Sequence, residues 1–476
     1  MHNKRTVITE VVAADLCCGC GVCVATCPGN ALRMVWARNG DRVAAAVEGS
    51  ECLEGCCLCL AVCPFSNQGP DESTIGDHRF ADLPMIDWHE LVGYYRSSFV
   101  GYTTDSERRE QSASGGLCTA LCQALLSDQE VDLIACATSQ ASDGRICVYE
   151  AVSEVENLTR AAGTRYYPAD LADVIREILH GPPRRSAVVG LPCALKGVSR
   201  AMQIVPRLRE RIAFLIGVAC GHMPNRYYTE YLARISGVLP SELVGAEYRL
   251  KSGTRADRYA FRATGQRRGP GRVVPFDRRI SWAWTSGLFG MRACDFCDDI
   301  FAEVADICFM DAWLPKYASD PKGHSLCLVR HPEIERALAQ RIESGEYQLD
   351  PIELADVINS QSGVITKKRK TIGLRLRYAN LHNERVQVKR TESSTELSLS
   401  DRILIWSSNA LRDSSKSLWP SVRERPLIIF HFLIYWIGLP LRARLWIHRA
   451  RRLELEVRRS IRTVLRKGNS SAQILP

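Results

Sequence analysis

An α/β fold is predicted for this chain: a small cysteine-rich module, then a larger α/β domain with a mainly parallel sheet, then a helical, basic C-terminal tail. Three observations carry the prediction. Two cysteine runs of nearly the same rhythm stand near the start. Short apolar runs then alternate with helical patterns across residues 90–365. From Lys367 onward the alternation stops, and 24 Lys and Arg face 8 Asp and Glu. The 476 residues leave room for two or three domains, and 46% hydrophobic with 24% charged side chains is a globular composition. The net charge of +9 is uneven, because the first 366 residues hold 38 Lys and Arg against 45 Asp and Glu. Only the tail invites an anionic surface.

Residues 10–66 form the first element. The runs read Cys17-x2-Cys20-x2-Cys23-x3-Cys27-Pro28 and Cys52-x3-Cys56-x2-Cys59-x3-Cys63-Pro64. The opening MHNKRTVITEVVAADLC lacks the apolar stretch of a secretory signal, so the chain is expected in the cytoplasm, where thiols stay reduced and disulfides are disfavoured. Zinc sites usually pair two short knuckles across a longer loop, rather than three cysteines at steps of three closed by Cys-Pro. Four close thiolates per 4Fe–4S cluster fit the rhythm, and in two-cluster ferredoxins the fourth cysteine of each run serves the other cluster. On that rule Cys17, Cys20, Cys23 and Cys63 hold one cluster, while Cys52, Cys56, Cys59 and Cys27 hold the second. The extra residue before Cys56 departs from the usual spacing, and Cys18 and Cys57 fall out of register. Between the runs, LRMVWARNGDRVAAAVE reads as a hairpin about an Asn-Gly turn. The module is read as a ferredoxin-type domain that moves single electrons, and SNQGPDEST (66–74) as a linker.

Across 90–365, VDLIACAT, SAVVGLP, RIAFLIGVAC and ADICFMDAW are nearly continuous apolar runs, as strands covered on both faces are. GGLCTALCQALLSD and PADLADVIREILHG read as helices between them. Open parallel sheets collect ligands outside the carboxyl ends of their strands. Cys193 and Cys220 stand at two such ends, and Cys294 and Cys297 form RACDFCDD. Spacing alone leaves a third cluster and ordinary buried thiols as equal alternatives for these four. Cys118, Cys122, Cys136, Cys147, Cys308 and Cys327 lie on helical or strand patterns and are read as packing residues. Ser112, Ser114, Gly115 and Gly116 precede a helix whose N-terminus suits a phosphate, and Thr164, Arg165 and Tyr166 offer a second small-polar site. Taken alone, the first reads rather as an ordinary helix start, and the second is as weak a signal. No His, Asp and Ser arrangement demands acid–base chemistry, and His222 and His324 are read as structural.

The tail, residues 366–476, contains Leu427 to Leu439, apolar but for His431 and Gly438. As a helix this reaches ~20 Å, short of the ~30 Å hydrocarbon core. Arg423, Arg425, Arg442 and Arg444 flank it, and Trp446, Ala450, Leu453, Val457, Ile461 and Val464 recur at helical spacing beyond. A short apolar helix beside a basic amphipathic one suits an anionic membrane surface; the alternative is packing on the body with a solvated basic face. The expectation is a cytoplasmic protein, peripheral at the inner membrane face. Nucleic acid is not an expected partner, since no binding module accompanies the charge.

The motifs taken together resemble the beta-subunit family of coenzyme F-420 hydrogenases and dehydrogenases. The double cysteine run, QSASGGLCTALCQALL, GTRYY, VVGLPCALKGV, GVACGH, CDFCDDIFAEVADICFMDAW and DPKGHSL follow one another in the family's order over about residues 15–360. The resemblance implies an iron–sulfur flavoprotein oxidoreductase with FAD and 4Fe–4S clusters. It implies FAD contacts from the SASGG and GTRY segments, and from Lys322, Gly323 and Ser325 in DPKGHSL. It also favours the third cluster on Cys193, Cys220, Cys294 and Cys297. Reduced coenzyme F-420 is the implied two-electron substrate, FAD the converter to single electrons, and a redox partner protein or ferredoxin the implied partner. A ferredoxin-dependent reductase of an organic substrate and a non-catalytic relay subunit are the alternatives.

Overall fold

In the cysteine-rich module each run folds around one helical turn, Val22–Ala25 and Leu58–Ala61. The Cys-Pro that closes each run stops the turn, because proline clashes with a helical residue before it. The computed structural model, which describes residues 5–440 apart from 140–143, 252, 385, 387–389 and 395, places a hairpin between the runs. Its strands β1 (Leu32–Trp36) and β2 (Arg42–Ala46) pair about Asn39-Gly40, with Leu32 opposite Ala46 and Trp36 opposite Arg42. The sequence from 66 to 74, read as a linker, is partly helical: α1 (Glu72–Phe80) begins inside it, capped by Asp71, whose side chain accepts from the Thr74 N–H.

The central sheet has eight strands: β3 (Ser97–Thr103), β4 (Leu133–Thr138), β5 (Val148–Val152), β6 (Ser186–Gly190), β7 (Ile212–Val218), β8 (Ile307–Asp311), β9 (Ser325–Val329) and β10 (Tyr347–Pro351). Across the sheet they run β10-β3-β9-β8-β7-β6-β4-β5. The middle four, β8, β7, β6 and β4, are parallel. Antiparallel strands flank them, β5 on one side and β9, β3 and β10 on the other. The expected mainly parallel sheet is thus a parallel centre with antiparallel margins. All four apolar runs picked from the sequence are the parallel strands, which lie at the centre of the sheet with elements packed on both faces. Ile134, Cys136, Ala187, Phe214, Ile216 and Phe309 pack toward α2 (Leu117–Ser127). Leu133, Ala135, Val188, Leu215 and Met310 face the opposite way, toward α3 (Ala172–His180), α4 (Pro192–Ile204) and the cysteine module's Val22, Val24, Leu60 and Val62.

Polar contacts fasten the module to that face. Arg200 on α4 is fully buried and donates to the carbonyls of Cys63, Ser66 (3.2 Å), Gly69 (3.1 Å) and Pro70 (2.8 Å). Leu171 N–H donates to Cys20 O at 2.8 Å, and Arg42 pairs with Asp170 at 2.9 Å. Gly21 makes this approach possible: its φ is +78°, and a Cβ there would stand 2.8 Å from the Ala172 nitrogen.

A smaller sheet pairs Leu243–Lys251 with Tyr259–Gly265 and packs on α5 (Arg226–Ser236). After residue 365 the chain continues through the basic turn Thr366–Lys370 into α6 (Ile372–Leu381), whose Leu376 and Ala379 join the main core. Then α7 (Leu399–Val422) and α8 (Leu427–Ile437) lie side by side, Ser407 Oγ donating to Ile437 O at 3.3 Å and Trp419 packing on Phe430. The apolar segment read from sequence is therefore a helix packed on the body through Phe430 and Ile434, with Ile428, Phe432 and Trp436 on its outer side 71%, 63% and 60% exposed. Arg442, Arg444, Trp446, Ala450, Leu453, Val457, Ile461 and Val464 lie outside the described residues. Among the described residues no helix is long and apolar enough to cross a membrane.

Candidate functional site

In the cysteine module thiols of the two runs act on one another. Burial pushes Cys17 up to about 11 and raises Cys23 and Cys63 as well. After burial, the charges acting on Cys23 are those of Cys20, Cys63, Cys17 and Cys59, and those on Cys63 include Cys20 and Cys17. Cys59 is raised by burial and by Cys52, Cys56 and Cys27. Cys63 thus feels Cys17 and Cys20, and Cys59 feels Cys27, Cys52 and Cys56, while Cys59 also acts on Cys23. Of the two out-of-register cysteines, Cys57 is exposed. Cys18 is not idle: Cys193 of the α/β domain and Cys20 of the first run, then burial, push its thiol well above the ordinary value.

The third group stands at the carboxyl ends of the parallel strands. Gly190 at the end of β6 leads into Leu191, Pro192 and Cys193, with proline in the first turn of α4. Val218 at the end of β7 leads to Cys220, whose N–H donates to Ile300 O. Cys294 and Cys297 sit on the short turn Arg292–Phe296 and just past it. Burial pushes Cys294 up to about 11 and Cys297 to about 12, and raises Cys220; each of the three also feels Cys193. Cys193 itself is lowered, first by its neighbour Cys18. Among the described residues no three His, Cys, Asp or Glu side chains are posed around a single metal ion. A cube of four irons asks for something else, one thiolate at each of four separate corners.

Lys368, which the sequence pattern places only in a basic tail, enters this group. It is 4% exposed, and its Nζ lies 3.2 Å from Cys297 Sγ, 3.2 Å from Cys220 O and 2.6 Å from Asp299 O. Burial acts to lower it, yet Cys297, Cys220 and Cys294 hold it above the ordinary lysine value. His222 lies beside it with its ring 4.1 Å from that of Trp284, and burial with Lys367 and Lys368 pushes it well below the usual histidine range.

The serine–glycine loop and DPKGHSL, about 200 residues apart in sequence, meet at the same end of the sheet. Ser325 pairs with Gly101 of β3 and with Asp311 of β8. Gly115 N–H donates to Ser325 Oγ at 3.0 Å, and Ser114 Oγ donates to His324 O at 2.6 Å. Gly116 has φ +80° where it opens α2. Gly323 packs on Ser114, Ser112 Oγ is spent on Arg108 O at 2.8 Å, and Lys322 is exposed at the rim. GTRYY lies farther along: Thr164 bridges to Tyr248, Arg165 donates to the carbonyls of residues 160–163, and Tyr166 packs against Trp284 with ring centres 4.4 Å apart and planes tilted by 50°.

The strand Leu243–Lys251 joins the two cradles, and sequence reasoning missed it. Tyr248 holds Thr164 at one end, while Lys251 Nζ donates to Arg109 O and to Ser114 O (3.1 Å) at the other. Between them Arg249 has φ +56° at a break in the register, a conformation that side chains other than glycine rarely adopt. That kink turns its guanidinium inward, 2.7 Å from Asp311 Oδ2 and over the rings of Tyr259 and Trp313. Arg109 pairs with Asp320 at 2.6 Å and donates to Gly323 O at 2.9 Å. The Nε atoms of Arg109 and Arg249 are buried with no hydrogen-bond partner. Burial brings Lys251 down to about 8. These cations, two with an unused buried N–H, fit a bound anion such as a dinucleotide pyrophosphate. The only sequence signal was Asp311, placed at the carboxyl end of a strand already read as parallel.

The chain is similar to known proteins. Residues 98–176 match the model described as coenzyme F420 hydrogenase/dehydrogenase, beta subunit N-term, and residues 184–355 match the corresponding C terminus. One subunit of the F(420)H(2) dehydrogenase of Methanosarcina mazei is 24% identical over 219 residues, 45% of this chain and 55% of that protein. The chain thus spans about half the length of the curated relative it matches. A chain of the F420-reducing [NiFe] hydrogenase complex from Methanosarcina barkeri has a similar fold, with TM-score 0.50 and 18% identity over 64% of this chain and 100% of that one.

Proposed function

The chain belongs to the coenzyme F420 hydrogenase/dehydrogenase beta-subunit family, and from that premise we propose that it is an iron–sulfur flavoprotein oxidoreductase. Its two-electron substrate is reduced coenzyme F420, and its one-electron partner is a redox protein docking on the cysteine module. Bound FAD would supply the exchange between paired and single electrons, and 4Fe–4S clusters would supply one-electron carriers. The chain's own residues have four tasks. Cys17, Cys20, Cys23 and Cys63 hold one cluster, Cys52, Cys56, Cys59 and Cys27 a second, and Cys193, Cys220, Cys294 and Cys297 a third. Ser114, Gly115, Gly116, Lys251, Arg109 and Ser325 cradle the FAD phosphates. Tyr166, with Trp284 and Arg249, walls the region between cradle and third cluster. Burial of the thiols and exclusion of water tune the potentials.

The observation that supports the reading most is the meeting of Cys193, Cys220 and the serine–glycine loop at the carboxyl ends of the parallel strands. The test is anaerobic purification with iron, sulfide and flavin measured. About twelve irons and one FAD per chain are expected, with oxidation of reduced coenzyme F420 by a viologen dye. Zinc without flavin would overturn the proposal. Activity with reduced ferredoxin and not with reduced coenzyme F420 would replace it by the reductase alternative.

We also propose that α8 rests on an anionic membrane surface, on the inner face of the membrane. Its exposed Ile428, Phe432 and Trp436 support this, as do the ten Lys and Arg against two Glu in residues 441–476.

A further inference from the structure

Lys367, Lys368, Arg369 and Lys370 make a run of four basic residues, which is ordinarily a solvated face. Here three of them turn inward. Lys367 Nζ lies 3.5 Å from His222 Nδ1, Arg369 pairs with Glu303 at 2.7 Å, and Lys368 reaches the thiols. Lys368 is buried, and among the described residues no carboxylate lies within ion-pair distance of it. Its partners are two backbone carbonyls and one sulfur. A buried ammonium without a carboxylate is costly unless another negative charge stands beside it. The nearest such group is the Cys297 sulfur, and Cys297, Cys220 and Cys294 act on the ammonium ahead of the Asp299 carboxyl.

We infer that Lys368 is the fixed countercharge and N–H donor of the Cys297 thiolate, and that it raises the reduction potential of the third cluster. The inference rests on the reading that Cys193, Cys220, Cys294 and Cys297 hold such a cluster. Reduction there adds one electron and no proton, and no bond is formed or broken, so the site becomes more negative by one charge. An ammonium 3.2 Å from a ligand sulfur stabilises the more negative state more than the less negative one. A hydrogen bond to the sulfur acts in the same direction. Lys368 is a positioning and tuning residue that touches neither substrate nor FAD.

The experiment is a redox titration followed by electron paramagnetic resonance on the full chain, purified anaerobically as wild type, Lys368→Gln and Lys368→Arg, with iron counted in each. About twelve irons are expected in all three. In Lys368→Gln one midpoint falls, so that the reduced-to-oxidised ratio at a fixed potential drops at least tenfold, about 59 mV for one electron. The other midpoints stay, and Lys368→Arg remains near wild type. Full iron in Lys368→Gln with every midpoint unmoved overturns the inference. A wild-type chain with only about eight irons defeats the underlying third-cluster reading instead, and the iron count separates the two failures. If Lys368→Gln loses iron, wild-type protein labelled with 15N-lysine decides. Pulsed resonance of the reduced third cluster then shows coupling to one lysine nitrogen, absent from Lys368→Arg; no lysine coupling in wild type overturns the inference.

Discussion

Lys251 is a cation that burial holds near neutrality, at about 8 rather than the usual lysine value. Its ammonium donates to Arg109 O and Ser114 O, at the mouth of the serine–glycine loop. If that loop takes a pyrophosphate, binding needs the charged form. The sign follows: below pH 8 the cation is present and FAD binds tightly, and above it the free protein loses the proton that binding must restore. FAD affinity should therefore fall as pH rises through about 8, approaching tenfold per pH unit. Fluorescence titration of flavin-free protein between about pH 7 and 9.5 checks this, and Lys251→Met should bind more weakly with a flat profile over that range. Such residues were not legible in the sequence. The cysteine runs were, because ligand spacing along the chain is itself the local geometry. Arg249, Lys251 and Lys368 take their meaning from a register break, a strand pairing and a turn that bring distant residues together, and nothing in RLKS or TKKRK announces it.

Elements divide in the same way, between those whose inner face is apolar and those whose inner face is not. The four parallel strands and α2 and α3 were read correctly because burial on both faces or one stripe leaves a periodic record. The 24-residue α7 was passed over. Its buried face includes Ser407, Arg412, Ser415 and Lys416 beside Leu411 and Trp419, so no clean apolar stripe exists. Polar partners replace it. Ser415 Oγ accepts from Phe289 N–H at 2.8 Å, and Trp419 Nε1 donates to Glu230 at 2.9 Å. Lys416 pairs at 2.8 Å with Asp41 of the hairpin, both side chains 4% exposed. This pair ties the C-terminal helices to the cysteine module across 375 residues of sequence. Removing one partner strands the other charge in the interior, which costs about 3–5 kcal/mol. Lys416→Met should lower the urea midpoint by a corresponding amount, measured on anaerobic holoprotein. Adding Asp41→Asn should recover part of the loss, because the neutral side chain can still accept from Asn225. Loss unchanged in the double variant would mean the pair's charge is not what matters.

At the scale of the whole molecule the C-terminal pair α7–α8 is the part whose surroundings the body does not supply. Phe430 and Ile434 are buried against Tyr231, Phe289 and Trp419, which satisfies one side of α8. The other side repeats Ile428, Phe432 and Trp436 at steps of four, and α7 adds Leu399, Ile403 and Trp406 in the open. Single exposed apolar residues are ordinary, but six large ones on two adjacent helices are the kind of surface that meets a partner. Tryptophan with arginine close by, Arg423 and Arg425 before the helix and Arg442 and Arg444 after it, is the composition that settles at a lipid headgroup layer. The short helix can lie in that layer without crossing it. The full holoprotein should float with vesicles containing phosphatidylserine and less with neutral ones, and more salt should release it. Phe432→Glu with Trp436→Glu alters only outward side chains, so iron and flavin content should stay at the wild-type level while flotation drops at least tenfold. Equal recovery with the vesicles, for the variant as for the wild type, would show that this stripe does not meet lipid.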